Sequence, residues 1–126
     1  MKYEFSEDWT KKARGVAIIL GFEHVDLHRI ACVRSKGTKT RRTIARIHTI
    51  SKAIQTGMRD KAFYSIELIT EKFDKLSEEE KMKTLVHELM HIPHSFGGGF
   101  RNHKQYVTEK NVNAEYERYL KQVKLD

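Results

Sequence analysis

The sequence of 126 residues contains only one cysteine and one proline. The single cysteine, Cys32, has no partner for an internal disulfide, and we expect it to be a buried apolar residue of a strand in a reducing cytoplasm. No apolar run approaches the roughly 20 residues that a membrane-spanning helix needs. The most apolar stretch, residues 16–22, is short and follows a charged amphipathic segment, which argues against a signal peptide. These absences predict a cytoplasmic protein with no membrane segment.

Acidic residues are missing from one long part of the chain. The net charge is +7, and between Leu27 and Arg59 there are nine Lys or Arg and no Asp or Glu. Several of them crowd one presumed strand-turn-strand: Arg34, Lys36, Lys39, Arg41, Arg42 and Arg46. A hairpin tip with this charge could bind phosphates, which makes nucleic acid a possible partner of the basic segment 29–61. A solvated basic edge that discourages sheet aggregation explains the same pattern.

The most informative pattern is His87-Glu88-Leu89-Met90-His91, an H-E-x-x-H sequence. On a helix, residues four positions apart lie one turn apart on the same face, so the two imidazoles could hold one metal ion. Zinc is the default metal, because neutral imidazole suits it and a catalytic zinc takes three protein ligands and a water. Glu88 would then lie beside the metal and could carry a proton from the metal-bound water to a leaving amine.

The flanking residues predict that this pattern lies on a helix. Ser77 and the glutamates at 78–80 have the form of an N-terminal capping box. Apolar residues then recur at helical spacing, and the two histidines fall on the opposite side: Met82, Leu85, Val86, Leu89, Met90 and Pro93. A pair of ordinary surface histidines is the alternative interpretation, and the intervening glutamate together with the apolar stripe disfavours it.

A zinc peptidase needs a third ligand from another segment, so that one coordination position stays open. Three glycines at 97–99 end regular structure after the helix. His103 lies just beyond them and is separated from His91 by eleven residues, and it is the predicted third ligand. His94, three residues past His91, and Glu115, on the last predicted helix, remain alternatives.

The segment from His87 to His103 resembles the small metallopeptidases of archaea and their viruses. These share the core H-E-L-x-H-I-P-x-x-F-x-G-G-x-x-x-H, and the likeness extends over roughly residues 30 to 107. The wider resemblance is to SprT-like and other minimal gluzincin-type zincins, in which a glycine and then an aromatic residue commonly follow the third histidine. Here the aromatic is kept in Tyr106 and the glycine is absent.

This resemblance implies a zinc-dependent metallopeptidase that hydrolyses peptide bonds in a peptide or protein substrate. It implies one zinc ion per chain, held by His87, His91 and His103, with Glu88 as the catalytic residue. Arg101 and Tyr106 are candidates for stabilising the oxyanion of the tetrahedral intermediate. We expect the remaining histidines, His24, His28 and His48, to be ordinary hydrogen-bonded residues.

The other periodic segments predict the fold around the metal helix. A helix is predicted over 8–20, strands within 29–36, 43–55 and 61–73, the metal helix over 78–92 and a closing helix over 108–123. The inward face of the first helix is predicted as Trp9, Ala13, Val16, Ala17 and Leu20. That of the closing helix is predicted as Val112, Tyr116, Tyr119, Leu120 and Val123. We therefore predict one domain, 1–126, with an α+β, minimal zincin-like fold: an N-terminal helix, a small three-stranded sheet, the H-E-x-x-H helix and a C-terminal helix.

In such enzymes, a strand beside the metal helix pairs with an extended substrate, and residues 64–70 are the predicted template. Three functions fit the whole pattern: a zinc peptidase, a protease directed to DNA-bound proteins as in SprT-like relatives, and a DNA-associated module with a structural zinc. Structural zinc usually prefers sets that contain cysteine. Three histidines beside a glutamate therefore favour the peptidase.

Overall fold

The computed structural model describes residues 1–125, which form four strands and five α-helices. The strands are β1 (Lys2–Phe5), β2 (Ile30–Lys36), β3 (Ala45–Thr49) and β4 (Tyr64–Ile69). The helices are α1 (Glu7–Ile19), α2 (Lys52–Met58), α3 (Thr70–Phe73), α4 (Glu78–Met90) and α5 (Glu109–Leu125), with a 3-10 turn at Leu27–Arg29. This α+β arrangement confirms the predicted fold class and is consistent with a small zincin-like fold.

The four strands form one mixed sheet in the order β1-β2-β4-β3. β2 and β4 run parallel in the centre, and β1 and β3 pair with them antiparallel at the two edges. The three strands predicted from the sequence are therefore joined by a fourth, β1, which is only four residues long and exposed throughout. β3 pairs with β4 on one side only, so its other edge is free.

The predicted strand-turn-strand of basic residues is not a hairpin. β2 and β3 follow one another in the sequence but are not neighbours in the sheet. The later strand β4 lies between them and pairs with both. The predicted strand over 43–55 also ends early, at Thr49, and α2 begins at Lys52. Ser51 stops the strand by capping this helix, since its Oγ accepts a hydrogen bond of 3.2 Å from the Ile54 N–H.

Serine caps begin the two helices that form the core. Ser6 Oγ accepts a 3.3 Å hydrogen bond from the Trp9 N–H at the start of α1, and Ser77 Oγ accepts one of 3.2 Å from the Glu80 N–H at the start of α4. α1 packs on β2, α4 packs on β3, and α5 contacts both helices. The buried face of α1 is the predicted one: Ala13, Val16 and Ala17, followed by Leu20.

The last helix follows its predicted pattern only in its first half. Val112 and Tyr116 are buried and Tyr119 packs against the core, but Val123 is 43% exposed. The prediction was wrong for Val123, because residues 121–124 lie beyond the part of α5 that packs on the core and are exposed. Within residues 1–125, none of the helices combines the length and the apolar character that crossing a bilayer would require.

Candidate metal centre and cleft

Helix α4 presents the two histidines of the H-E-x-x-H pattern on one face. Leu85, Val86 and Leu89 are fully buried in the core, and their packing fixes the rotation of α4 about its axis. The face that carries the histidines therefore lies beside the edge strand β3. His87 is half-buried there, and His91 is 7% exposed at the point where the helix ends. The four-residue spacing and the buried stripe together orient both imidazoles before any contact with another segment.

The loop after α4 brings the third histidine back to this face. The Arg101 N–H donates a hydrogen bond of 2.7 Å to the His91 carbonyl, so the chain returns alongside the end of the helix. Tyr64 on β4 holds the turn: its hydroxyl accepts from the Gly98 N–H at 2.9 Å and donates to the Gly99 carbonyl at 2.8 Å. His103 then lies two residues past Arg101, above the helix.

The turn requires glycine at position 98. Gly98 has φ of +100°, and a Cβ there would lie 2.3 Å from Gln55 Nε2 and 3.0 Å from the Ile50 carbonyl oxygen. The same Gln55 side chain donates to the carbonyls of Ile50 at 2.9 Å and Gly97 at 3.2 Å. Strand β3, helix α2 and the glycine turn are thus fastened together just before the chain reaches His103.

Three imidazole nitrogens converge above α4. The Nε2 atom of His103 lies 3.1 Å from Nε2 of His87 and 3.0 Å from Nε2 of His91. Tetrahedral ligands at a typical zinc–nitrogen distance would be about 3.3 Å apart, so these nitrogens are spaced to share one ion. Within residues 1–125, these three histidines are the one group of three or more potential ligands that could hold a metal ion.

The main chain sets the tautomer of His91. Its Nδ1 lies 2.7 Å from the carbonyl oxygen of Arg101, which can only accept, so Nδ1 carries the proton. The lone pair of His91 is therefore on Nε2, which faces the other two imidazoles. A hydrogen bond of this kind is what orients a metal-ligating histidine in proteins.

The environment keeps the imidazoles of His87 and His91 neutral. Burial, with the neighbouring His91 and His103, lowers the pKa of His87 to about 4. Burial also lowers the pKa of His91, although its bond to the Arg101 carbonyl acts in the opposite direction. Neutral imidazole is the form that binds a metal ion, so the site is prepared for a cation at neutral pH.

Glu88 provides a carboxyl group next to the histidines. Its side chain belongs to the buried part of α4, with 5% exposure, and burial raises the pKa of the carboxyl to about 7. A carboxylate with a pKa near neutrality can both accept and return a proton. The arrangement therefore places a metal-binding triad and a proton carrier side by side.

The structure keeps the two alternative ligands away from the triad. The His94 ring stacks on His24, with centroids 4.3 Å apart and planes 14° apart, behind the end of α4. Glu115 forms an ion pair with Arg118 on α5. Of the residues considered for the third position, the tertiary structure brings only His103 to the two histidines of α4.

The two residues considered for the oxyanion contact each other, but only Arg101 reaches the triad. The Arg101 guanidinium lies 4.2 Å from the Tyr106 ring centroid, and Arg101 borders both the space in front of the triad and the cavity behind α4. Tyr106 itself lines a separate cavity of about 320 Å³ behind α4, together with His24, His94 and Glu115. Tyr106 is therefore not positioned beside the triad, because the chain turns away from α4 after His103.

A cleft runs between β3 and α4 on both sides of Glu88. The Lys83 cavity, of about 520 Å³, and the His103 cavity, of about 540 Å³, share Thr43, Ala45, His87 and Glu88. The predicted template, residues 64–70, is wrong, because β4 already pairs with β2 and β3 and has no free hydrogen-bonding edge. Its apolar sequence is that of a strand covered on both faces. The free edge beside the cleft belongs to β3.

Sequence reasoning missed a polar network that holds β3. The Glu67 carboxylate, on β4, is fully buried and accepts from Arg46 at 2.8 Å and Ser35 at 2.6 Å, with His48 Nε2 at 2.7 Å. Burial alone would raise the pKa of Glu67, but the bonds from Arg46, Ser35 and His48 outweigh it and lower the pKa to about 2. The one signal in the sequence was a glutamate among the apolar residues of the strand Tyr64–Ile69.

A family model described as "putative phage metallopeptidase" matches residues 2–124 of the chain. No curated protein and no solved structure shows significant similarity to it.

Proposed function

The chain belongs to this phage metallopeptidase family, and from that premise we propose that it is a zinc-dependent peptidase. In this proposal His87, His91 and His103 hold one zinc ion, and Glu88 is the catalytic base. The observation that carries the proposal is the convergence of three imidazoles beside a buried carboxyl. Within the described residues, the group contains three protein ligands, which is the number typical of a catalytic zinc.

The donor set suits zinc. Three imidazole nitrogens without a cysteine or carboxylate are a familiar set for catalytic zinc. When bound, the metal would supply the positive charge that acidifies a water molecule and polarises the scissile carbonyl. The Arg101 carbonyl holds His91 in the tautomer that this role requires. The buried core of α4 keeps the backbone of His87 and His91 in place during the reaction.

Glu88 handles the proton. Its carboxylate would accept one proton from the attacking water as the water oxygen forms a bond to the carbonyl carbon. It would then pass this proton to the nitrogen of the leaving amine, and the C–N bond would break. The low exposure of Glu88 supports this role, because a buried carboxylate is a stronger base than one in water.

The free edge of β3 supports a peptide substrate. An extended peptide lying in the cleft could add to Ala45–Thr49 as a further strand, through main-chain hydrogen bonds. Its carbonyl groups would then pass Ala45, which lines both cavities next to Glu88. The Glu67 network stabilises this edge by tying Arg46 and His48 to β4.

The test is hydrolysis of an unfolded protein such as denatured casein in the presence of zinc. Glu88→Gln preserves size and removes the base, so we expect activity to fall by a factor of about 100 or more. Glu79→Gln, an exposed change in the first turn of the same helix, is the matched control. Full activity of the Glu88→Gln protein would refute the proposed role, and so would hydrolysis that survives removal of the metal.

A second proposal is that the basic segment 29–61 binds single-stranded nucleic acid. It is supported by Tyr3 and Phe5, which are 55% and 61% exposed on β1 and could stack on bases. The charge available is smaller than the sequence suggested, because Arg29, Arg34 and Arg46 pair with acids: Asp60, Asp74 and Glu67. Binding of a labelled oligonucleotide that weakens steeply with salt, and with Tyr3→Ala and Phe5→Ala, would support this proposal.

A further inference from the structure

The charges that line the cleft are mostly positive. Apart from Glu88, the Lys83 cavity is bordered by Arg42, Lys83 and one acid, Glu109. The His103 cavity is bordered by Arg46 and Arg101. The side chains of Arg46 and Arg101 are bound to other residues, so a peptide lying along β3 would meet available cations on the Lys83 side of Glu88.

These cations are not equally available to a substrate. Arg46 already binds the buried Glu67 carboxylate at 2.8 Å, and Arg101 lies over the Tyr106 ring. Arg42 is exposed in the loop that leads into β3, and it lies three residues before Ala45 along the same edge. Lys83, on α4, lines the same cavity, and its ammonium nitrogen lies 5.3 Å from the centroid of the Tyr116 ring.

Building on the proposed peptidase function, we propose that the cleft selects peptide segments with acidic side chains on the Lys83-cavity side of the scissile bond. Arg42 is the residue that determines this specificity, and Lys83 assists it. Glu109 lines the same cavity, and its negative charge offsets one of these two positive charges. The cavity therefore favours one acidic side chain and disfavours a second one beside it. An ion pair in a cleft between two elements is screened less than one on an open surface.

The observations favour an acidic peptide over a nucleic acid as the occupant of the cleft. Apolar side chains lie between the cations: Ile44 and Val112 in the Lys83 cavity, and Ile47 and Phe100 in the His103 cavity. A peptide can bury side chains against these residues and carry its anions only opposite Arg42 and Lys83. A phosphate backbone carries an anion at every nucleotide, so it would also place anions opposite Glu88 and Glu109.

Binding is measured first, without catalysis, on the zinc-loaded Glu88→Gln protein. Two fluorescent octapeptides differ only in carrying Glu or Lys at the two residues on each side of the central bond. We expect the Glu peptide to bind about tenfold more tightly than the Lys peptide at low salt, and less so at high salt. Arg42→Glu should abolish or reverse the preference, and Lys83→Glu should reduce it.

Arg41→Glu is the matched control, because Arg41 is the exposed neighbour of Arg42 and borders neither cavity. It makes the same change in net charge, and we expect it to keep the preference within about twofold. Circular dichroism verifies that the variants are folded. When Glu88 is intact, Arg42→Glu should raise KM for the Glu peptide and leave kcat nearly unchanged, since Arg42 does not touch the reacting atoms.

The outcomes separate this inference from the proposed function. Equal binding of the two peptides, or equal effects of Arg41→Glu and Arg42→Glu, would overturn the inference even if casein is cleaved. Selective binding that depends on Arg42, without cleavage of any substrate, would support the inference and contradict the proposed peptidase function. A third outcome is that neither peptide binds, whereas a single-stranded oligonucleotide binds tightly and Arg42→Glu weakens its binding. This result would assign the cleft to nucleic acid and overturn the inference.

Discussion

His91 and Arg101 are joined by two hydrogen bonds of 2.7 Å, one from the imidazole Nδ1 of His91 to the Arg101 carbonyl and one from the Arg101 N–H to the His91 carbonyl. This pair of bonds ties the last turn of the metal helix to the segment that carries His103. It also orients the Nε2 lone pair of His91 towards the other imidazoles. The position of the third histidine and the tautomer of the second are therefore set by the same contact.

The first prediction concerns the metal ligands. His91→Ala and His103→Ala should each weaken zinc binding by a factor of at least about 100, because two imidazoles cannot replace the set of three. Competition with a chromophoric chelator measures the affinity. His94→Ala and Glu115→Ala are the controls, since these residues contact His24 and Arg118 instead of the triad. A large loss in Glu115→Ala would show that the site uses two histidines and a glutamate.

The second prediction separates metal binding from proton transfer. Glu88→Gln should retain one zinc ion per chain while hydrolysis is lost, because Glu88 does not belong to the group of ligand atoms. Metal analysis of the purified variant, beside His91→Ala, gives the result. A Glu88→Gln protein that has lost its zinc would indicate that the carboxylate is a ligand.

The third prediction concerns stability in acid. The pKa of Glu67 in the folded protein is about 2, below its ordinary value of 4.5, so its contribution is present above pH 4.5 and is lost as the pH falls towards 2. This contribution is at most about 3 kcal/mol. Urea unfolding should therefore show Glu67→Gln to be less stable than the wild type at pH 7, with the difference shrinking between pH 4.5 and pH 2. A difference that stays constant over this range would contradict the role of the charge.

The fourth prediction concerns the glycine turn. Gly98→Ala should lower the free energy of unfolding by about 1–3 kcal/mol, because it strains a positive φ and places a Cβ 2.3 Å from Gln55 Nε2. It should also weaken zinc binding, since the turn leads to His103. Gly99→Ala is the matched control, because a Cβ there meets nothing within 4 Å. Thermal unfolding with and without zinc measures both effects, and equal behaviour of the two variants would refute the constraint.

Much of the fold could be predicted from the sequence because it depends on short-range periodicity. The capping serine at 77, the apolar stripe and the histidines one turn apart all lie within one helix, and their relations follow from helical geometry alone. The burial of Cys32 and the inward face of α1 were also predictable, because the pattern of apolar residues within a short segment indicates which side of it faces the core.

The strand beside the cleft could not be predicted in this way. The central strand β4 and the edge strand β3 are both rich in β-forming residues, and the sequence does not contain the order in which strands pair. The resemblance to zincins implies that a strand beside the metal helix pairs with the substrate, and this predicted residues 64–70, but it does not indicate which strand keeps a free edge. In the structure, β4 has no free edge because it lies between β2 and β3.

The sequence by itself therefore determined which residues could bind a metal and carry a proton, since four-residue spacing on a helix leaves their side chains on one face. Only the tertiary structure decided which third residue joins them, which strand edge is open and which basic residues enter the cleft. Those relations connect segments far apart in the chain, and they depend on contacts such as Tyr64 with Gly98 and Glu67 with Arg46. No local pattern specifies such contacts, because they form only once the sheet and helices have packed together.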